Sequence, residues 1–142
     1  MSKEDHSQHF VGNIAQKALI EQDGKVLMVQ YPDDDHKAAL LWDLPGGRLH
    51  NDEDPITGVK REVKEEINAD IVVNGIIATG VNVVSKDFKL YWVIYRASLV
   101  NPKQLFIPEV GEIGKVEWRE RADFFTLPMI YTGYHEALKN IL

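Results

Sequence analysis

The chain contains no cysteine among its 142 residues. This absence excludes a disulfide framework, a thiolate-ligated zinc site and a thiol nucleophile, although it does not identify the compartment. No apolar run approaches the roughly 18 to 20 residues that a membrane-spanning helix needs. The polar first ten residues also hold no apolar run of signal-peptide length. We therefore predict a soluble, cytoplasmic protein without a membrane partner.

Positive charge is also scarce. The chain carries 16 Lys and Arg against 22 Asp and Glu, which gives a net charge of −6. Proteins that bind nucleic-acid polymers usually need a basic stripe that displaces counterions from the phosphates. We find no such stripe, so we expect no nucleic-acid polymer as a partner. If the substrate carries phosphates, a cation must lie between it and the acidic side chains.

The length of the chain favours one domain with its own core. We predict a flexible N-terminal arm over residues 1–12 and a single domain over residues 13–142. His6 and His9 fall in this arm, and we interpret them as terminal histidines without a metal.

Apolar runs and turn signals predict strands on both sides of a central helix. An Asp-Gly dipeptide at position 23 separates two apolar runs, which is typical of a hairpin because its turn needs positive φ. The β-rich runs 70–83 and 89–100 predict an antiparallel pair. A short strand over 113–118 and a closing helix over about 132–142 follow. This order predicts an α/β fold, an α/β/α sandwich with a mixed β-sheet between helices.

The central helix has clear boundaries. Asp54 is a good N-cap, and Pro55 suits the first helical position, where its missing N–H costs nothing. Asn68 can adopt the left-handed conformation that closes a helix. On a helical wheel, four apolar residues within an arc of roughly 80° predict a core stripe: Ile56, Val59, Val63 and Ile67.

Three glutamates of this helix, Glu62, Glu65 and Glu66, lie beside the predicted core stripe. Their i, i+3 and i, i+4 spacings bring like charges within about 5–6 Å at Cβ. Partly desolvated carboxylates that repel one another need a partner. Oxygen ligands without His or Cys nearby suit Mg²⁺ or Mn²⁺. An acidic, solvated helix face is the alternative that the spacing leaves open.

A glycine loop precedes the acidic helix. Gly46 and Gly47 let backbone groups approach a ligand closely, so a carbonyl here is a candidate metal ligand. A plain turn is the alternative for the two glycines. Glu53 and Arg61 are spaced to form a pair that would hold the loop on the helix and orient the glutamates.

Together these residues resemble the signature of the Nudix hydrolase family. The family's box reads G, five residues, E, seven residues, R-E-U-x-E-E-x-G-U, where U is a bulky aliphatic residue. The chain fills it in register from Gly47 to Ala69. It departs from the pattern at Asn68, where the family has glycine, and at Ala69, where a larger aliphatic residue is usual.

The resemblance implies a Nudix-type sandwich that hydrolyses a pyrophosphate bond in a nucleoside diphosphate linked to another moiety, such as a nucleotide or a nucleotide sugar. It implies Mg²⁺ or Mn²⁺ as the cofactor and a small-molecule nucleotide diphosphate derivative as the partner, and it leaves a homodimer open. The alternative function is a non-catalytic Nudix-like module that senses a nucleotide. Such modules commonly lose the box acids, which this chain has kept.

The resemblance also implies roles for individual residues. The predicted metal ligands are the Gly46 carbonyl, Glu62, Glu65 and Glu66, and the predicted catalytic residues are Glu53, Arg61, Glu65 and Glu112. Glu53 and Arg61 would orient the ligands.

The general base of the family often lies in a later loop. Glu109 and Glu112 occupy that loop here, and we prefer Glu112 because it abuts the predicted strand over 113–118. Arg48 and Tyr31 are candidate substrate contacts. Ser85, about sixteen positions past the box, is neither the proline of ADP-ribose enzymes nor the tyrosine of dinucleoside polyphosphate enzymes, so the substrate stays open.

Overall fold

The computed structural model describes residues 8–35 and 38–142. Residues 1–7 of the predicted arm, which include His6, therefore lie outside the described residues. In the described part of the arm, the rings of Phe10 and Tyr91 meet edge to face, with centroids 6.1 Å apart. Neither described range contains a helix with the length and hydropathy needed to cross a membrane.

Over these ranges the chain forms seven strands and three helices. The strands are β1 (Asn13–Gln22), β2 (Lys25–Gln30), β3 (Trp42–Asp43), β4 (Gly46–Arg48), β5 (Ile71–Ser85), β6 (Phe88–Leu99) and β7 (Lys115–Glu120). The helices are α1 (Pro55–Ile67), α2 (Arg121–Phe124) and α3 (Gly133–Leu138).

The sheet is mixed, as predicted. Its main path has the order β3-β2-β1-β6-β5, while β4 pairs with β1 and β7 pairs with β2. β6 is parallel to β1, whereas β2 and β4 are antiparallel to it. Apolar residues of α1 pack in one core cluster and those of α2 and α3 in another. The predicted α/β architecture is confirmed, and β1 is the strand that touches both the glycine loop and the centre of the sheet.

Local signals placed the first hairpin and the central helix correctly. Asp23 and Gly24 both have positive φ, 53° and 77°, in the turn between β1 and β2. The Asp54 carboxylate accepts hydrogen bonds from the N–H groups of Ile56 and Thr57. Asn68 closes the helix in the left-handed conformation, with φ 58° and ψ 40°.

Three boundaries differ from the prediction. Ile56 is 39% exposed, so the apolar core stripe of α1 begins only at Val59. The last strand begins at Lys115, because the N–H of Ile113 donates to the Glu109 carbonyl and not to a strand. The closing helix ends at Leu138, whose carbonyl accepts the N–H groups of two later residues in a turn.

Candidate active site

The glycine loop lies directly on β1. Gly46 pairs with Lys17 in the sheet and has a φ of 139°, a conformation that favours glycine. A Cβ at this position would overlap the backbone carbonyl of Gln16. Only glycine therefore allows the loop to approach β1 so closely.

Glu66 is the buried acid of the site. Its side chain reaches the loop, where Oε1 accepts a hydrogen bond of 2.7 Å from the N–H of Gly46, and the residue is only 9% exposed. Burial raises the pKa of Glu66 from 4.5 to about 8, against the opposing effects of Lys17 and the Gly46 N–H. An acid that is costly to ionise when alone gains most from a nearby cation.

Glu62 packs against the second glycine of the loop. A Cβ at Gly47 would overlap the Glu62 carboxylate, so glycine leaves the space that this side chain occupies. Glu62 also forms an ion pair of 2.9 Å with Nη2 of Arg61. The side chains of Glu62 and Glu66 thus meet the glycine loop from the same helix.

Arg61 joins the loop to the acidic helix. Its Nε and Nη2 donate to the two carboxylate oxygens of Glu53, and Nη1 donates to Glu65 at 3.1 Å. The spacing-based expectation of a Glu53–Arg61 contact is therefore met. Arg61, with the N–H of His50, lowers the pKa of Glu53 from 4.5 to about 2.

We expect Glu53→Gln to lower the melting temperature near pH 7 and to have less effect as the pH falls. Because the folded-state pKa of Glu53 is depressed, its pair with Arg61 stabilises the fold above pH 4.5. That contribution is lost as the pH falls from 4.5 towards 2. Thermal melts of both proteins across this range will measure the difference.

Glu120→Gln is the control for this titration, because Glu120 is exposed and its ion pair with Lys25 is long, at 3.9 Å. We expect it to change the melting temperature little at any pH. A Glu53→Gln difference that did not shrink in acid would contradict the assignment of this ion pair.

Glu65 lies apart from the other two acids. Its side chain is 48% exposed and contacts Arg61, and it does not line the cleft beside the loop. Within residues 8–35 and 38–142, no three acidic or histidine side chains converge as a ready metal cage. The three carboxylates do not converge because Glu62 and Glu65 form ion pairs with Arg61, while Glu66 accepts the hydrogen bond of the Gly46 N–H.

A cleft of about 720 Å³ opens beside the glycine loop. Ligand sites of small molecules commonly fall within about 300–1,000 Å³. The acids Glu62 and Glu66 line one part of it, together with the glycines. Residues from several other elements line the rest, among them Tyr31, Arg48, Asn82, Ser85, Phe88, Glu109, Glu112 and Tyr131.

The two candidate bases differ in their surroundings. The N–H of Glu109 donates to the backbone carbonyl of Glu66 at 2.8 Å, which holds its loop against the end of α1. Burial, followed by repulsion from Glu112, Glu65 and Glu62, raises the pKa of Glu109. Glu112 is exposed and precedes the strand by a turn, so the structure removes the reason for preferring it.

The two predicted substrate contacts both line the cleft. The guanidinium of Arg48 lies 4.8 Å from the centre of the Phe88 ring, a cation–π distance. The hydroxyl of Tyr31 donates to Asp43 at 2.5 Å, so this group is already bound within the protein. Trp42 and Trp92 are buried in the core, so their rings are not free to stack on a ligand.

Sequence reasoning missed a buried ion pair beneath the loop. Nζ of Lys17 donates to Asp43 at 2.8 Å and to the Gly46 carbonyl at 3.1 Å. Burial lowers the pKa of Lys17, but attraction to Asp43 and Glu66 outweighs that effect and raises it overall. A lysine inside the apolar run of β1 was the signal that could have revealed this pair.

A family model described as the NUDIX domain matches residues 15–141. The CTP pyrophosphohydrolase of Escherichia coli K12 is 36% identical over 62 residues, which cover 44% of this chain and 45% of that protein. Nudix hydrolase 8 of Arabidopsis thaliana is 30% identical over 114 residues, which cover 79% of this chain and 30% of that protein. The matches therefore span less than half the length of these curated relatives.

Solved structures give the same result for the fold. The MutT protein of Methanosarcina mazei superposes with a TM-score of 0.76 at 23% identity, covering 90% of this chain and 91% of that chain. A MutT Nudix hydrolase from Burkholderia pseudomallei reaches 0.77 at 18% identity, covering 94% and 100%. With the match over residues 15–141, the box and the shared fold, the chain belongs to the NUDIX domain family.

Proposed function

We propose that this chain is a divalent-metal-dependent pyrophosphohydrolase whose substrate is a nucleoside diphosphate linked to another moiety. The observation that carries the proposal is the buried Glu66 carboxylate, bonded to Gly46 beside Glu62 in the wall of a nucleotide-sized cleft. Membership of the family supports it. We further propose that the site works within one domain over residues 13–142.

The residues present suit Mg²⁺ or Mn²⁺. Glu62 and Glu66 offer hard carboxylate oxygens against the glycine loop, which also carries the Gly46 carbonyl, and Glu65 would join them by releasing Arg61. A bound ion would neutralise charge on the phosphates and lower the pKa of its water. It would also offset the cost of ionising Glu66 in its buried position.

We also propose roles for groups in the cleft and beside it. We propose that Glu109 accepts the proton of the attacking water, whose oxygen forms a bond to phosphorus as the anhydride oxygen leaves with the other phosphate. Arg61 and Glu53 hold the acidic helix against the loop. Arg48, which lies over Phe88 in the wall of the cleft, would bind a phosphate of the substrate.

A panel of nucleotides tests the proposal. Nucleoside triphosphates, nucleotide sugars, ADP-ribose and dinucleoside polyphosphates would be incubated with Mg²⁺ or Mn²⁺, and phosphate would be measured after a coupled phosphatase. We expect turnover of at least one class with metal and none after chelation. Tight nucleotide binding without product over long incubation would instead indicate a sensing module.

A further inference from the structure

Lys17 and Asp43 form an ion pair that is almost fully removed from water. Lys17 is 3% exposed and Asp43 is 0% exposed, and their charged groups lie 2.8 Å apart. Removing two charges from water is costly, and well-packed apolar residues often serve stability equally well or better. Stability alone therefore does not explain why a buried ion pair lies beneath the glycine loop.

Asp43 is held in place from four directions. Besides Lys17, it accepts hydrogen bonds from the hydroxyls of Tyr31 at 2.5 Å and Tyr134 at 3.1 Å, and from the N–H of Leu44 at 2.8 Å. These donors come from three separate parts of the fold. A carboxylate anchored in this way fixes the Lys17 ammonium that it binds.

The peptide groups on both sides of the Gly46 Cα form hydrogen bonds with side chains. Its carbonyl accepts from Nζ of Lys17 at 3.1 Å, and its N–H donates to Oε1 of Glu66 at 2.7 Å. Together with the pairing of Gly46 on β1, these two contacts orient its peptide groups. Lys17 thus connects the fixed Asp43 to the loop that binds Glu66.

We propose that Lys17, fixed by Asp43, is a positioning residue that sets the direction of the Gly46 carbonyl and, through it, of the Glu66 carboxylate. The inference rests on the proposed function, in which these two groups hold the divalent ion. Partners that orient metal ligands in this way typically change metal affinity by 10- to 100-fold when they are removed.

Two variants separate positioning from stability. Lys17→Met removes the ammonium but leaves Asp43 charged and buried, so it should destabilise the fold. Lys17→Met combined with Asp43→Asn removes both charges. The amide oxygen can still accept from the Leu44 N–H and the Tyr134 hydroxyl, and the amide NH₂ can donate to the Tyr31 hydroxyl on the other side. We expect this double variant to recover most of the melting temperature. Lys25→Met, at an exposed lysine on the adjacent strand, is the matched control.

Titration of the metal-free proteins with Mn²⁺ alone gives the decisive readout. We expect the double variant to bind Mn²⁺ about 10- to 100-fold more weakly than the wild type. Its kcat should fall while the KM of the nucleotide changes little. The double variant carries the test, because Lys17→Met alone and Asp43→Asn alone each leave one buried charge without its partner.

A double variant that melts like the wild type and binds Mn²⁺ with equal or greater affinity would overturn the inference. That result would show that the pair serves packing alone, or that the ammonium only repels the ion. Wild-type protein that neither binds Mn²⁺ nor hydrolyses any nucleotide would overturn the proposed function together with the inference, so the two failures are distinguishable.

Discussion

Glu66→Gln is expected to abolish metal-dependent hydrolysis while the protein stays folded. The amide keeps an oxygen that can accept the Gly46 N–H, but it removes the negative charge that would face the ion. Because metal-assisted charge stabilisation contributes several kcal/mol and each 1.36 kcal/mol is tenfold in rate, we expect a fall of about 10³-fold or more in kcat/KM.

The measurement compares steady-state hydrolysis with Mg²⁺ or Mn²⁺ and thermal melting with and without Mn²⁺. Wild-type protein should melt at a higher temperature with Mn²⁺, and the variant should lose that shift. Glu120→Gln, at an exposed acid away from the cleft, should behave like the wild type. Turnover at the wild-type rate in Glu66→Gln would contradict the proposed function.

Glu109→Gln is expected to lower kcat by about 10²- to 10⁴-fold, the usual contribution of a general base. The substitution keeps the size of the side chain and leaves the backbone contact of Glu109 with Glu66 in place. Mn²⁺ affinity should therefore change little, which separates loss of a base from loss of a metal ligand. Pre-steady-state hydrolysis with saturating Mn²⁺ measures the chemical step directly.

Glu112→Gln provides the comparison, because Glu112 lines the same cleft from the same loop but is exposed. We expect it to keep most of the activity. A larger loss of kcat in Glu112→Gln than in Glu109→Gln would reverse the assignment. It would indicate that Glu112, which also lines the cleft, is the general base.

Local chemistry in the sequence determined much of the fold. The limits of α1 followed from Asp54, Pro55 and Asn68, whose preferences act within a few residues. The turn at Gly24 followed from its need for positive φ. The prediction that Ile56 is buried was wrong. A helical wheel assumes that the core covers every turn of the helix, whereas the apolar core contacts α1 only from Val59 onwards.

The box spacing predicted that its acids lie on one side of one helix, and two of them, Glu62 and Glu66, line the cleft. It did not rank them. Glu66 is buried and Glu65 is half exposed because the glycine loop packs against one side of α1 alone. The choice of Glu109 over Glu112 likewise depends on a backbone contact with the far end of α1.

Spacing and capping, which act over one or two helical turns, were therefore readable from the sequence by itself. Lys17 and Asp43 are 26 positions apart in the chain, so only the tertiary structure showed that Lys17 contacts both Asp43 and Gly46. Burial and charge pairing depend on which distant strands become neighbours. No local pattern specifies that choice, because it is settled by the packing of the whole sheet.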